Sequence, residues 1–481
     1  MKNIVTLTIV AVVLCAAAGR AAEPAPALTP QRAPGFFPLG VYWPGEYVPR
    51  TAQGPDWSKV DPLLDSLAAN HCNTVWLTHI GAADATEFAR RAATRGIYLV
   101  AALGELAGNE KANRQPAYFK GLPERTLKTW GDAPKPIAWG LGDEPLTEFM
   151  PEMKPYSEEW AKSGEPTTTV VITHDIPAAS ALLKLKFLCT DAYPFFGVGD
   201  PNGPDNSAES AAYLYQVGRR AQHWAKKNGI EWWCMGAIFQ EAAGNHDFDG
   251  QGNVVYPPGF APHYRMPTVA ETRWQNWAAL AAGARGLIHF ALFLGDVPVS
   301  DPNAKPVSFG YKEKTNSGAP MGMLYRDGRP TPQYLEMGRA FGAIAKLAPV
   351  LKSIEPVETP AEEQLAFHAT GWIPPGDIVQ VMRSTDVKTP VKYYVIVANG
   401  AVDNPQPRDI PVNLAATVVR VTDVRTGQTI PLRQSQVWRW EPVCAPFQQA
   451  RVSLPPGDGT LLELTLADAE VTTPAPGAVF K

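Results

Sequence analysis

The sequence predicts an α/β protein: a (β/α)8 TIM barrel over residues 36–350, followed by a small C-terminal antiparallel β-sandwich over 351–468. Three observations predict it. Short apolar, β-branched runs alternate with amphipathic helical stretches eight times in about 310 residues, and eight such units imply a parallel sheet closed on itself and covered by helices. No Gly-rich phosphate loop follows the first run, which counts against the rival open, doubly wound sheet. Beyond Ala348 the helical period is lost, and strand-like runs separated by turn residues replace it.

The elements follow in order. Residues 1–22 read as a signal peptide. Lys2 gives the positive start, Ile4 to Ala18 the short apolar core, and small residues lead to a cut near Ala22. The run is too short for a membrane anchor, and Leu14 before Cys15 matches a lipoprotein signal poorly. The expectation is a secreted or periplasmic protein with no membrane attachment after cleavage. Residues 23–35 form a Pro/Ala-rich leader. The runs Phe36–Trp43, Asn73–Leu77, Ile97–Ala102 and Ile137–Gly142 read as the first four strands. Thr168–Thr173, Phe187–Tyr193, Trp232–Phe239 and Gly286–Phe293 read as the second four. Between them lie helical periods such as Val60, Leu63, Leu64 and Leu67. Asn206 with Glu209, and Thr268 with Glu271, have capping-box spacing, and Gly229 ends the helix between the sixth and seventh strands. A final helix covers about Pro332 to Leu347. "VKYYVIVANG", "ATVVRVTDVRTGQTIPL" and "ARVSLPPGDGTLLELTLA" then supply the sandwich, and 469–481 read as a flexible tail.

Cleavage would remove Lys2 and Arg20 and take the formal charge from −4 to −6. A mildly acidic chain without a basic run is a poor candidate for binding nucleic acid. Cys72, Cys189, Cys234 and Cys444 fit no zinc spacing. Buried thiols are expected, with one disulfide of undetermined pairing left open. The 14 Trp and 15 Tyr offer rings for stacking on sugars, or simply core. Oligomeric state is not readable.

In this fold chemistry sits at the carboxyl ends of the strands. The first run delivers Tyr42, Trp43 and Glu46 there; the second Thr78 and His79; the third Glu105; the fourth Asp143 and Glu144. The fifth delivers His174 and Asp175, the sixth Asp191 and Tyr193, the seventh Gln240 and Glu241, and the eighth His289 with Asp296 beyond it. Long connections at Glu241–Pro267 and Leu294–Pro332 suit the walls of a cleft. Two carboxyls facing across such a cleft can break a glycosidic bond, one donating a proton and the other attacking or activating water. Their separation, about 5–5.5 Å or about 6.5–9.5 Å, decides retention or inversion. Glu144, beside Asp143 at the end of a buried strand, is placed for a raised pKa through desolvation and a like-charged neighbour. The alternative is a helix-start carboxylate that meets the dipole of the next helix.

"GLGDEP" resembles the fourth-strand motif of clan A TIM-barrel glycoside hydrolases, usually Asn-Glu-Pro, with Asp-Glu-Pro in distant members. "NTVWL", "TDAYP" and "AALAAGARGLIHF" resemble the second strand, the sixth strand, and the last helix and strand of the same group. "PPGDGTLLEL" resembles its accessory β-domain. The resemblance implies a retaining hydrolase of β-linked poly- or oligosaccharide, needing no cofactor. Glu144 would be the acid/base and a glutamate ending the seventh strand the nucleophile. Here that strand ends in Gln240 then Glu241, and a one-residue slip reverses a side chain. Either Glu241 is aimed inward, or Gln240 lines the site and the nucleophile is lost. Asp143 replaces the family Asn that donates to the sugar 2-hydroxyl, and an ionised Asp can only accept. The eighth strand lacks the family's platform tryptophan, so Trp43 or Trp139 is a substitute. Tyr193 resembles the tyrosine that orients the nucleophile.

His79 and His174 are candidates to contact substrate hydroxyls, or ordinary rim histidines. A non-catalytic glycan-binding barrel is the alternative function. A third is a metal-dependent carbohydrate-active hydrolase using these histidines with Glu105 and Asp191. "NHDFDGQGNVVY" resembles a calcium loop but ends in Tyr256 where a glutamate belongs, so a β-turn is the better reading.

Overall fold

The computed structural model describes residues 36–102, 121–145, 147–196, 207–240, 247–248, 254–255, 264–294, 322–325, 328–368, 376–386, 391–435 and 447–467. Eight parallel strands close into a barrel: β1 (Leu39–Pro44), β2 (Thr74–Thr78), β3 (Tyr98–Ala102), β4 (Ala138–Asp143), β5 (Thr167–Val171), β6 (Phe187–Thr190), β7 (Glu231–Ala237) and β8 (Leu287–Phe290). Each pairs with its neighbours in sequence, and β8 closes on β1 through Leu39↔Leu287. Among the described residues the helices around the barrel are α1 (Trp57–Ala69), α2 (Ala82–Ala93), α3 (Leu122–Trp130), α4 (Met150–Lys162), α5 (Ile176–Leu182), α6 (Ser207–Lys227), α7 (Val269–Ala282) and α8 (Pro332–Leu351).

Alternation along each strand divides the core. Tyr42, Trp76, Val100, Ala138, Phe187 and Trp233 belong to a cluster inside the barrel, where Phe187 stacks on Trp233. Their sequence neighbours Val41, Trp43, Val75, Leu77, Leu99 and Trp139 belong to the outer core, under the helices. Both faces of a barrel strand are therefore dry, which is why the strands read as continuous apolar runs. Cys72, Cys189 and Cys234 are buried free thiols; Cys444 lies outside the described residues, as do the leader at 1–35 and the tail from 468.

The C-terminal part is a sandwich of two antiparallel sheets. Its strands are β9 (Ile354–Pro356), β10 (Ala366–His368), β11 (Ile378–Ser384), β12 (Tyr393–Ala398), β13 (Arg408–Leu414), β14 (Val418–Asp423), β15 (Thr429–Ile430), β16 (Arg433–Ser435), β17 (Phe447–Leu454) and β18 (Gly459–Leu466). One sheet runs β9-β11-β12-β18-β14-β15 and the other β10-β13-β17-β16. In β12, Val395 and Val397 face the sandwich core, while Tyr394, Ile396 and Ala398 join the core that includes α7. The run "YYVIVA" is apolar throughout because it is covered on both sides.

That second cover explains α7. From Glu271 to Ala282 every residue but Arg273 is buried, polar ones included, because the barrel lies on one side and the larger sheet on the other. Thr268 and Glu271 form the capping box read from the sequence, and Arg265 adds two bonds to the Glu271 carboxylate at 2.7 and 2.6 Å. Trp277 donates to Asp458 at 3.2 Å. Gly459 must lack a side chain, since a Cβ there would lie 2.4 Å from the Trp277 ring. Trp277→Ala should destabilise the chain by about 3–5 kcal/mol, read as a fall in denaturant midpoint; a change under about 1 kcal/mol would mean that this seam contributes little.

Candidate active site

Period-two alternation from Ala138 would carry Asp143 to the outer face of β4. A β-bulge prevents this. Gly140 pairs with Thr168 but Asp143 pairs with Val170, so β4 spends one more residue than β5. Thr169 Oγ1 holds the bulge by donating to Gly142 O at 3.0 Å. Asp143 therefore turns inward, where Tyr42 OH donates to its Oδ2 at 3.2 Å. Glu144 follows with φ 44°, a left-handed conformation costly for a non-glycine residue, and its N–H donates to Val170 O at 3.1 Å. His79, just past the tip of β2 two strands away, is also left-handed at φ 52°, and its N–H donates to Ala102 O at 3.1 Å. Such strain concentrates at functional sites; a third such residue, His71, follows α1 at the far end of β2.

A second carboxyl arrives from β6. Its inward residues continue in register as Phe187, Cys189, Asp191 and Tyr193. Asp191 is 5% exposed, and its Oδ1 is buried without a hydrogen-bond partner. Burial, then the nearby Glu144 and then the charge of Asp143 hold its carboxyl well above the usual range. Burial and the Glu144 charge push Asp143 up to about 6, against the opposing hydrogen bond from Tyr42 and the nearby His79. Burial also raises Glu46, while its own backbone bond and His79 act the other way. Tyr193 is pushed up by burial and by Asp191, Glu144 and Asp143 in turn. The mouth is thus an acidic cluster in which Asp143, Asp191 and Glu46 hold their protons to higher pH than free carboxyls do.

Aromatic rings form one wall. Phe290, half-buried at the tip of β8, lies 4.9 Å from the ring of Tyr42 and 5.1 Å from that of Phe239. Tyr193 packs 4.8 Å from Phe239 and 5.5 Å from Tyr264, and its OH donates to Met235 Sδ at 3.5 Å.

The structure brings Asp143, Glu144, His79 and Tyr193 together and departs from the sequence reading elsewhere. Glu144 is exposed; the desolvated carboxyls are Asp143 and Asp191, because the left-handed turn lifts Glu144 out of the strand. Trp43 is not a platform: alternation beside inward Tyr42 sends it outward, 0% exposed and 5.2 Å from Phe88 of α2. Trp139 is likewise core, stacked 4.8 Å from Trp160 of α4. The ring beside Tyr42 at the mouth is that of Phe290. His289 faces outward to Asn276 of α7, Nε2 to Oδ1 at 2.9 Å, and burial drops its pKa to about 3. His174 is exposed and pairs through Nε2 with Asp175 Oδ2 at 3.1 Å. Asp175, 1% exposed, accepts from Thr147 N at 2.9 Å and from the Thr147 hydroxyl. It thereby staples the loop that follows Glu144.

Phe239 points to the aromatic wall, Ile238 to the outer core, and Gln240 is half-buried. Gln275 of α7 fixes this end of β7 by bonding both Ala237 N and Ala237 O, at 2.8 and 2.9 Å. Glu241, Glu105 and Asp296 lie outside the described residues. In the segment that resembles a calcium loop, Asp247–Phe248 pairs antiparallel with Val254–Val255, a small hairpin. Among the described residues no three His, Cys, Asp or Glu side chains are grouped to hold a metal ion. The burial of Asp191 and the place of Phe290 among the aromatic rings were not singled out from the sequence, although strand register alone puts Asp191 on the same face as Phe187 and Cys189.

No protein-family model and no curated protein sequence matches the chain. Solved structures do. A glycoside hydrolase matches with a TM-score of 0.52 at 12% identity, over 90% of this chain and 94% of that one. A glycoside hydrolase family 5 protein from Bacteroides vulgatus matches with a TM-score of 0.53 at 13% identity, over 90% of each. A β-glucuronidase from Ruminococcus gnavus matches over 63% of this chain with a TM-score of 0.44 and 15% identity; the match spans about half of that chain, 48%. Over nine tenths of its length, this chain shares its fold with the first two glycoside hydrolases.

Proposed function

We propose that the chain is an exported glycoside hydrolase acting on a β-linked poly- or oligosaccharide with retention of configuration, in the periplasm or outside the cell. The observation that carries this reading is the carboxyl cluster of Asp143, Glu144 and Asp191 at the carboxyl end of a closed barrel, facing Tyr42 and Tyr193. The shared fold supports it. The aromatic wall at Phe290, Phe239 and Tyr193 offers a surface for the apolar face of a sugar ring.

In the first step Glu144 gives its proton to the leaving oxygen, whose bond to the anomeric carbon breaks, while a carboxylate forms an ester with that carbon. In the second step Glu144 takes a proton from water as the water oxygen bonds the anomeric carbon and the ester breaks. We assign the carboxylate to Glu241, two residues on from inward-facing Phe239. Asp143 fits the pattern better than its ionised form would. Held up to about 6, it is half protonated at that pH, and a carboxylic acid donates a hydrogen bond as the family Asn does.

Incubation with a glycan panel tests the reading. New reducing ends with the wild type, and far fewer with Glu144→Gln or Glu241→Gln, are expected. Binding without release would instead support a glycan-binding barrel, and loss of activity with a chelator a metal-dependent hydrolase.

A further inference from the structure

Tyr42 and Asp143 meet across the mouth of the barrel. They come from β1 and β4, which β2 and β3 separate, yet the Tyr42 OH donates to Asp143 Oδ2 at 3.2 Å. Each partner is held by its own strand. Tyr42 sits opposite Trp76 in the β1–β2 ladder, and its carbonyl accepts from Leu292 N at 2.8 Å. Its ring lies 4.9 Å from that of Phe290, and the residue is 3% exposed. Asp143 is turned inward by the bulge in β4. The Thr169 hydroxyl fixes that bulge on one side and the Glu144 N–H on the other. A buried tyrosine hydroxyl needs a partner, which explains a bond but not this partner, a half-buried carboxyl at the mouth.

We propose that Tyr42 is the positioning residue of Asp143: by engaging Oδ2 from across the barrel, it leaves Oδ1 to meet the 2-hydroxyl of the bound sugar. The bond stands on geometry, and its use rests on the hydrolase reading above. A carboxylic acid has one carbonyl oxygen and one O–H. An O–H donor on Oδ2 makes Oδ2 the carbonyl oxygen and puts the acid proton on Oδ1. Asp143 then presents what an asparagine presents, an acceptor tied to the protein and a donor on the other arm. Without Tyr42 the two oxygens are interchangeable, and the donor faces the sugar only part of the time. Tyr42 itself touches no reacting atom. The titratable groups around Asp143 are Glu144 beside it, Glu46 after β1, His79 after β2, and Cys189, Asp191 and Tyr193 from the β6 side. Tyr42 is uncharged, so its replacement by Phe leaves all of these charges in place and removes one donor.

Titration of Asp143 in the full-length chain without substrate tests the bond, and cleavage tests its use. With 13C-carboxyl-labelled Asp, and the Asp143 signal assigned by its loss in Asp143→Asn, the wild type should titrate at about 6. Tyr42→Phe keeps the ring and removes a donor that favours the ionised form, so it should raise the midpoint by about half a pH unit or more; an unmoved midpoint overturns the bond. The kinetic arm compares matched aryl β-glycosides with and without the 2-hydroxyl. On the first, Tyr42→Phe should lower kcat about tenfold with KM little changed, because contacts to this hydroxyl strengthen in the transition state. On the second it should have little effect. Equal losses on both overturn the positioning role. A raised midpoint in a protein that cleaves no glycan upholds the bond and removes only the hydrolase reading.

Discussion

Glu144→Gln will lower kcat/KM on an unactivated glycan by roughly 10²–10⁴-fold, the usual contribution of a positioned general acid. On an aryl glycoside whose leaving group needs no proton, the first step will be nearly unaffected, and an early burst of the aryl alcohol will precede slow turnover. The split follows from the role. An amide cannot donate an acidic proton to the leaving oxygen, nor take one from water. Gln keeps the shape of Glu and the backbone bond from residue 144 to Val170 O at 3.1 Å, so the left-handed turn survives. Equal losses on both substrates would mean that Glu144 binds sugar or shapes the loop and does not transfer the proton.

Asp143→Asn will make the chain more stable at neutral pH than at pH 4, relative to the wild type, by about 3 kcal/mol. A carboxyl ordinarily near 3.8 that is held at about 6 corresponds to about 3 kcal/mol of differential interaction. The folded chain binds this proton more tightly than the unfolded chain. The native state therefore loses stability as pH rises from about 4 to about 6, and the loss is complete above the folded value. Asp191 adds a loss of the same sign at higher pH. The amide introduced by Asp143→Asn carries no such proton, and its oxygen still accepts from Tyr42 OH. The quantity to measure is the difference between variant and wild type in urea midpoints from pH 4 to pH 8. Other carboxylates, such as Asp132 held below its usual range by Arg90, tilt both proteins alike and cancel. A difference that stays flat with pH would show that Asp143 is not held protonated by the fold.

The architecture was legible because the barrel is built from one repeated pattern. Runs such as "NTVWL" and "YLVAA" are apolar on both faces, and each is followed by a helical period. The capping box at Thr268 was legible for a similar reason, since it is a local device fixed by spacing. The site was less legible because it depends on which face each strand tip presents. In β1 plain alternation governs, and Trp43 was set at the mouth although its parity is opposite to that of Tyr42. In β4 alternation fails: the extra residue between Gly140 and Asp143 reverses the faces, and no residue in "GLGDEP" announces a bulge. Asp191 needed only the strand register to be placed, but that it shares the mouth with Glu144, delivered by a strand two away and 47 residues earlier in sequence, is something a linear pattern does not contain. The exposure of Glu144 follows from its left-handed backbone, a conformation that nothing in the local sequence leads one to expect outside glycine.

The most direct measurement is the anomeric configuration of the first-formed product, followed by proton NMR as the protein acts on a β-linked oligosaccharide. The account predicts that the β-anomer of the new reducing end accumulates first and mutarotates later, and that Glu144→Gln suppresses it. First appearance of the α-anomer would contradict the double displacement, and the absence of any new anomeric signal across the panel would contradict the assignment of the carboxyl cluster to glycoside cleavage.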